Sequence, residues 1–246
     1  MLICPCDAEQ GTVRKINKVK RRNNMSFGKN LQYLRQLSAG MTQETLAEKL
    51  NVSRQTISKW EMDAANPEMD KALEICKIFN CTLDNLFREE IDKRSDAYSD
   101  LRTEEVKGFR YVEYTVISRE PEADAIGRMC KCAEENGIAN PKVIGWDFPK
   151  VSQEQVNVFN MHGYTAALIL PEGVTPEGYE IKEQAAHKYA AIHIDRPFDN
   201  PFSTISGAYH TLGDYMRTNG LAFVENEVIP CFETDGESMD IYMACK

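Results

Sequence analysis

MTQETLAEKLNVSRQTISKWE, residues 41–61, decides the fold of the first part of the chain. Thr42 suits the N-cap of a helix on which Leu46 and Leu50 recur at helical spacing. Asn51 suits the tight turn that follows, and Ser53 suits the cap of a second helix. The stretch therefore predicts two short helices joined by a tight turn.

The second of these helices has two unlike faces. Ile57 and Trp60 face inward, whereas the outward positions carry long hydrogen-bond donors and hydroxyls. Such groups read base edges and phosphates in the major groove of DNA. An ordinary pair of surface helices would explain each residue type alone, but not the cap, turn, core and polar face together. The outward residues are Arg54, Gln55, Thr56, Ser58 and Lys59.

Residues 26–90 resemble the xenobiotic-response-element family of helix-turn-helix domains, whose all-α fold of five helices also occurs in phage repressors. The resemblance implies binding to double-stranded operator DNA. It places Gln43 against the DNA backbone. In the second helix of the motif it assigns contacts with base edges to Arg54, Gln55 and Lys59. It assigns supporting contacts to Ser53 and Thr56.

Two departures from the family pattern affect these expectations. Arg35 and Glu61 match a pair that holds the first helix to the third in the family, but the turn at 38–40 is one residue longer than usual. Residues 62–64, Met-Asp-Ala, stand where the family commonly has Asn-Gly-Lys. The change removes a basic phosphate contact and adds a carboxylate, so we expect weak binding by one domain and a functional homodimer.

The distribution of charge fits a small DNA-binding face on an acidic protein. The chain has a formal net charge of -9, which argues against a nonspecific coat for nucleic acid. Residues 26–60 nevertheless hold five bases and two acids, whereas 61–92 hold three bases and nine acids. The positive field is therefore expected on one side only.

The length of the chain predicts a second domain. The helix-turn-helix domain is expected at 25–90, followed by a charged linker at 91–108 with at most one helical turn and a further domain at 109–246. Residues 1–24 form a basic leader without a signal-peptide pattern. A minor-groove arm is one explanation for it; we favour translation beginning at Met25, which makes the leader an artefact of the assigned start.

The eight cysteines do not indicate a metal site. No CxxC motif occurs and the four histidines are dispersed, whereas zinc sites usually need paired ligands at short spacing. We expect no metal and no cofactor, and we interpret the cysteines as free thiols in a reducing cytoplasm. No run of about 18 apolar residues is present, so no membrane span is expected.

The C-terminal part carries a weak internal duplication. Strand-like 109–118, helical 121–136 and strand-like 142–148 and 164–171 form one unit. The pattern returns as strand-like 188–195, helical 203–219 and strand-like 231–234 and 239–244. Two strand-helix-strand-strand units predict an α+β domain with a curved sheet, helices on one face and a central cleft.

The second unit also resembles a known family. Residues 178–197 (GYEIKEQAAHKYAAIHIDRP) and 230–246 (PCFETDGESMDIYMACK) are similar to the effector-binding domain of the gyrase-inhibitory-protein-like family, which includes drug-sensing halves of bacterial multidrug regulators. The resemblance implies a small-molecule effector. In that family a glutamate on a strand near the C-terminus commonly lies in a pocket of aromatic residues, and Glu233 matches it.

The residues around Glu233 agree with a ligand pocket, although a second explanation stays open. Glu233 follows the apolar run 229–232, so its carboxylate is expected to be partly withdrawn from water. A buried acid among aromatic rings favours a lipophilic cation. Alternatively, the rings belong to the core and Glu233 pairs with a lysine. The candidate aromatic residues are Trp146, Tyr164, Tyr189, Phe232 and Tyr242.

Three function classes follow from these patterns. A one-component transcription regulator, with a DNA-reading domain and a ligand-sensing domain, is the first. The second is hydrolysis of a small molecule, since some members of the second family use a pocket glutamate with tryptophan and tyrosine. The third is contact with another protein through the C-terminal domain. The fused DNA reader favours the regulator.

Overall fold

The computed structural model describes residues 27–92 and 95–246. The predicted basic leader at 1–24 and the proposed start at Met25 lie outside the described residues. Within the described ranges, no helix combines the length and the apolar character needed to cross a membrane.

The first part of the described chain is the predicted all-α domain of five helices. The hydroxyl of Thr42 accepts a hydrogen bond from the Thr45 backbone N, and that of Ser53 accepts one from the Thr56 backbone N, each at 3.1 Å. Asn51 takes the left-handed conformation that ends the second helix. The helices are α1 (Phe27–Leu37), α2 (Gln43–Leu50), α3 (Arg54–Glu61), α4 (Met69–Ile78) and α5 (Leu83–Phe87).

The predicted ion pair between α1 and α3 is present despite the longer turn. The Arg35 Nε donates to Glu61 Oε1 at 2.6 Å and its Nη2 donates to Oε2 at 3.1 Å. The side chain of Glu61 is only 3% exposed, so the bidentate partner is needed to compensate for its burial. Gly28 allows the close approach, because a Cβ there would lie 2.5 Å from the backbone O of Glu61.

Asp63 has a role inside the domain that the sequence did not predict. Its Oδ1 accepts a hydrogen bond of 2.7 Å from the backbone N of Gly28, at the start of α1. The carboxylate that we expected near the DNA backbone therefore satisfies a free amide at a helix N-terminus.

The second part is the predicted α+β domain, in which the eight expected elements are present with their ends shifted by at most two residues. Its elements in chain order are β1 (Tyr98–Val106), β2 (Phe109–Ser118), α6 (Pro121–Glu135), β3 (Lys142–Asp147), α7 (Gln153–Asn157), β4 (His162–Ile169), β5 (Lys182–Gln184), β6 (His187–Asp195), α8 (Pro201–Thr218), β7 (Cys231–Thr234) and β8 (Ser238–Ala244).

One antiparallel sheet joins the two units about an approximate twofold axis. Its strand order is β1-β6-β8-β7-β3-β4-β2-β5. Read outward from the centre of the sheet, the first unit contributes β3, β4 and β2, and the second unit contributes β7, β8 and β6. In both units this is the order second, third and first strand. The second strands of the two units, β3 and β7, therefore pair in the middle. There Gly145 pairs with Glu233 and Ile144 pairs with Thr234.

Both long helices cover the same face of the sheet. Met129 of α6 packs on Val143 and Leu168, and Leu212 of α8 packs on Ile192. The opposite face has no helix in the described ranges, and it carries a separate cluster of aromatic and aliphatic side chains, among them Tyr189.

The predicted linker at 91–108 is largely wrong. Tyr98–Val106 forms strand β1, which pairs with β6 from Tyr98 opposite Ile194 to Val106 opposite His187. The strand was not recognised from the sequence because its side chains are mostly charged or polar. An edge strand needs few apolar residues and is commonly charged. Pairing with a distant strand, which no local pattern records, decides its conformation.

The two domains share one hydrophobic core. Leu37 of α1 belongs to the same buried cluster as Leu212, Tyr215 and Met216 of α8. The DNA-binding fold therefore packs directly on one helix of the C-terminal domain.

Candidate functional site

The N-terminal part of α3 presents the side chains predicted to contact DNA. Ser53, Arg54, Gln55 and Lys59 are exposed, and Thr56 is half-buried beside the cap that Ser53 forms. Ile57 and Trp60, on the other side of the helix, are buried. The arrangement leaves donors along one accessible helix face, as reading of a major groove requires.

Two of the predicted contacts are engaged within the protein. The Gln43 Nε2 donates to Glu61 Oε2 at 2.8 Å, so this side chain links α2 to the buried ion pair of α1 and α3. The Arg54 Nε lies 2.9 Å from Glu44 Oε1, with both side chains more than 60% exposed. An exposed pair of this kind contributes at most about 1 kcal/mol, so DNA can displace it.

Glu233 lies at the centre of the sheet, on the face covered by the helices. The hydroxyl of Tyr209 in α8 donates to Glu233 Oε1 at 2.8 Å. Tyr164 lies over Gly145, the residue paired with Glu233, and a Cβ at Gly145 would meet the Tyr164 hydroxyl oxygen at 2.2 Å. A glycine is therefore needed at position 145 for the Tyr164 ring to lie over this part of the sheet.

Two further acids accompany Glu233. Burial raises the pKa of Glu233 to about 7; the hydrogen bond from Tyr209 opposes the rise, and the nearby charges of Asp147 and Glu122 add to it. Burial also raises the pKa of Glu122, with a contribution from Asp147, and burial raises the pKa of Asp147. The three carboxyl groups, from α6, β3 and β7, therefore influence one another electrostatically, with Glu122 and Asp147 on the exposed side of Glu233.

The space beside Glu233 is small. The cavity has a volume of about 30 Å³, enough for about one water molecule. Phe198, in the short 3-10 turn before α8, and Ile205, in α8 itself, are part of its wall. Phe198 is 56% exposed, so its ring lies between the cavity and the solvent. A larger guest would have to displace Phe198 or the adjoining part of α8.

Comparison with known proteins identifies the class. A helix-turn-helix family model matches residues 31–86. The HTH-type transcriptional regulator ImmR of Bacillus subtilis (strain 168) is 31% identical over 118 residues, which are 46% of this chain and 92% of ImmR. This chain belongs to the HTH-type transcriptional regulators.

Two solved structures are similar to the larger part of the regulator. The C-terminal domain of EcmrR is 12% identical and covers 60% of the regulator and 97% of its own chain, with a TM-score of 0.43. The structure of SAV2435 bound to tetraphenylphosphonium is 16% identical and covers 60% of the regulator and 94% of its own chain, with a TM-score of 0.38.

The structure of the regulator divides the predicted effector residues between two faces of the sheet. Glu233 and Tyr164 lie on the face covered by the helices. The other four lie in the cluster on the opposite face, because successive residues of a strand point to opposite sides, as Phe232 and Glu233 do. One pocket therefore cannot contain all six. The four residues on the helix-free face are Trp146, Tyr189, Phe232 and Tyr242.

The same division bears on the hydrolase hypothesis. Trp146 follows Gly145 on β3 and points away from Glu233, so a glutamate, tryptophan and tyrosine are not assembled around this cavity.

Four residues that surround or influence Glu233 were missed from sequence. Tyr209 lies on the apolar stripe of α8 and looked like a core residue, and Glu122 looked like an ordinary acid in the first turn of α6. No sequence signal placed Asp147 or Phe198 beside Glu233, because their approach depends on how the two units pair.

Proposed function

We propose that this regulator binds operator DNA through α2 and α3 and senses a lipophilic organic cation at Glu233. One observation carries the ligand class: among the described residues, no lysine, arginine or histidine lies within ion-pairing distance of the Glu233 carboxylate. A half-buried acid that lacks a cationic partner is best compensated by a guest of positive charge.

The DNA contacts are proposed from the exposed face of α3. Arg54 and Lys59 offer donors suited to guanine O6 and N7, and Gln55 offers the amide suited to adenine. Ser53 and Thr56 support the start of the helix against a phosphate, where backbone amides are also oriented outward. Gln43 orients α2 through Glu61 and uses the rest of its amide against the DNA backbone.

The apolar part of the guest is proposed to lie against the rings of Tyr164 and Tyr209. Aromatic faces attract a cation, and the carboxylates of Glu122 and Asp147 strengthen the negative potential at the same point. Entry of a ligand must open the 30 Å³ cavity, so binding and a movement of α8 or Phe198 are the same event.

A DNA-binding assay tests this function directly. Operator sequences are selected from random oligonucleotides with the purified regulator, and fluorescence anisotropy then gives the dissociation constant with and without tetraphenylphosphonium. A change in operator affinity of at least threefold is expected with the cation and none with the neutral triphenylphosphine oxide. Equal operator affinity in all three conditions, with the cation saturating, would remove the sensing role.

Helix α8 is the proposed connection between ligand and DNA. Tyr209 near its middle bonds to Glu233, and the C-terminal end of the helix bonds to the DNA-binding domain. The Asn219 Nδ2 donates to the backbone O of Leu37 at 2.9 Å, and its Oδ1 accepts from the backbone N of Ala39 at 3.1 Å. Both contacts are made at the end of α1, just before the helix-turn-helix motif.

Two further polar contacts link α8 to the same domain. The Tyr33 hydroxyl donates to Asp214 Oδ2 at 3.1 Å, and Arg217 Nη1 donates to the backbone O of Asn80 at 3.0 Å. About 7.5 Å of helix axis separates Tyr209 from Asp214, at 1.5 Å per residue. A displacement of Tyr209 by a ligand is therefore transmitted along the stiff helix α8 to α1 and to the turn after α4.

Removing these contacts should uncouple the two sites. In the double variant Asn219→Ala, Arg217→Ala, tetraphenylphosphonium affinity should stay within twofold of the native value, while the effect of the cation on operator affinity falls below 1.5-fold. Calorimetry and anisotropy measure the two quantities. Lys131→Ala, on the exposed face of α6, serves as the matched control. A full response in the double variant would exclude the contacts of Asn219 and Arg217 as the route.

The functional unit is proposed to be a homodimer on a twofold-related operator. A single domain with one short recognition helix makes few phosphate contacts, so two half-sites are needed for useful affinity. Light scattering of the saturated complex should give two copies per operator duplex. One copy per duplex, with no further binding at higher protein concentration, would contradict the dimer.

A further inference from the structure

The helix-free face of the sheet contains a second cavity, of about 480 Å³. This volume lies in the range of small-molecule sites, whereas the cavity beside Glu233 holds about one water molecule. Val106 and Phe109, on either side of the β1–β2 turn, form part of its wall, with Ile144 and Ile169 of the adjoining strands. Phe232 lines this cavity and Glu233 lines the other, so the two lie mainly on opposite sides of β7, and they adjoin at Ile144, Thr234 and Asp235, which line both.

An aromatic wall is already formed in this second cavity. Phe232 and Tyr242 are stacked with their ring centroids 4.5 Å apart and their planes 14° apart. Tyr189 meets Phe232 edge-on at 5.2 Å, and its hydroxyl donates to the backbone O of Ile229 at 2.8 Å. Tyr189 is fully buried, so the wall has little freedom to rearrange. A flat, fixed apolar surface binds a flat apolar guest with little loss of conformational entropy.

The charges around this cavity compensate one another. The Glu104 carboxylate accepts from Arg102 Nη2 at 2.7 Å, and the Tyr242 hydroxyl contacts the same guanidinium at 3.2 Å. Lys142 and Asp235, both exposed, add one charge of each sign to the lining. A charged guest would lose hydration here without gaining an unpaired counter-charge. The environment differs in this respect from that of Glu233.

We infer that the helix-free face is a second ligand site, which binds an uncharged planar aromatic molecule of two or three fused rings. The rings lie in the apolar cavity beside Phe232 and Phe109, and the polar groups of Glu104, Tyr242 and Thr234 meet a carbonyl or N–H group at the edge of the guest. The two sites adjoin at Ile144, Thr234 and Asp235, but this one takes its aromatic wall from the other face of the sheet and does not use Glu233.

Acridone, a neutral fluorescent molecule of three fused rings, is the probe for this site. Fluorescence anisotropy with the full-length regulator gives its dissociation constant. Phe109→Ala removes a ring from the wall, and Val106→Trp fills the cavity, so each should weaken acridone binding at least tenfold. The two substitutions act in opposite senses on volume, so loss in both points to this cavity; circular dichroism and operator binding show that each variant is folded.

Two controls distinguish this site from the one at Glu233. Glu233→Gln and saturating tetraphenylphosphonium should each leave the acridone dissociation constant within twofold. Native acridone affinity in both Phe109→Ala and Val106→Trp would overturn the second site. Loss of acridone binding in Glu233→Gln, or competition with the cation, would show that one site takes both molecules. If the cation does not bind at all, the cation site fails and the acridone measurements stand by themselves.

Discussion

Glu233→Gln should weaken the binding of tetraphenylphosphonium to the regulator at least tenfold at pH 8, which corresponds to about 1.4 kcal/mol. Glutamine keeps the shape of the side chain and an oxygen that accepts from Tyr209, so the loss reports the charge. Isothermal calorimetry measures the effect. Because Glu233 lies in the C-terminal domain, operator affinity without ligand should stay nearly unchanged.

The dependence on pH follows from the raised pKa of Glu233. With a pKa of about 7, the ionised fraction of this carboxyl group rises about tenfold from pH 6 to pH 8. The cation binds the ionised form, so native affinity should improve by about the same factor over this range. The variant should show a flat profile. If the native regulator and Glu233→Gln show the same dependence of cation affinity on pH, the titrating group is not Glu233.

A matched control separates charge at the cavity from charge in general. Glu237→Gln removes one exposed acid close by in sequence, and it should change cation affinity less than twofold. The neutral triphenylphosphine oxide should be insensitive to Glu233→Gln. If the variant binds lipophilic cations as tightly as the native regulator, Glu233 is part of the core only and the ligand proposal fails.

The stability of the domain offers a second measure of the same substitution. A carboxyl group whose pKa is raised in the folded state binds its proton more tightly there than in the unfolded chain. Native stability should therefore fall as pH rises from about 4.5 to about 7, the interval between the two pKa values. Glu233→Gln removes this loss, so its melting temperature should exceed the native one at pH 8 and match it at pH 4.

Arg54→Ala should weaken binding to the selected operator by on the order of 1 to 3 kcal/mol, roughly 5- to 150-fold, and binding to random DNA by less. The difference arises because a bidentate contact to guanine is made at the operator only. Loss of the exposed Arg54–Glu44 pair should not destabilise the free domain measurably. Gln55→Ala should behave similarly, and anisotropy on the two DNA types measures the ratio.

Two comparisons make this result specific. Arg88→Ala removes an exposed base after α5, away from the recognition helix, and should affect both DNA types slightly and equally. Gln43→Ala should weaken both more evenly, because its amide orients α2 through Glu61. Equal losses on operator and random DNA for Arg54→Ala would leave Arg54 as a phosphate contact without a role in base reading.

Local interactions in the sequence determined most of the fold. The caps at Thr42 and Ser53 and the left-handed Asn51 are decided by groups within three or four residues of each other, so the helix-turn-helix motif could be predicted. The strands at 109–118 and 231–234 have the predicted ends, because alternation along a strand is also a local property. Glu233 stood out for the same reason, as an acid that follows an apolar run.

Contacts between distant segments decided the rest. Alternation along β7 already separates Phe232 from Glu233, but which side the helices cover depends on long-range packing, so the aromatic residues of two faces were combined into one pocket. The bonds of Gln43 to Glu61 and of Asp63 to Gly28 likewise join elements that the chain brings together only in three dimensions. Residues 98–106 form strand β1 because their backbone pairs with that of β6. Sequence alone thus determined the elements and the charged residue of the site, whereas packing determined what surrounds Glu233, because its partners Tyr209, Glu122 and Asp147 come from three different elements.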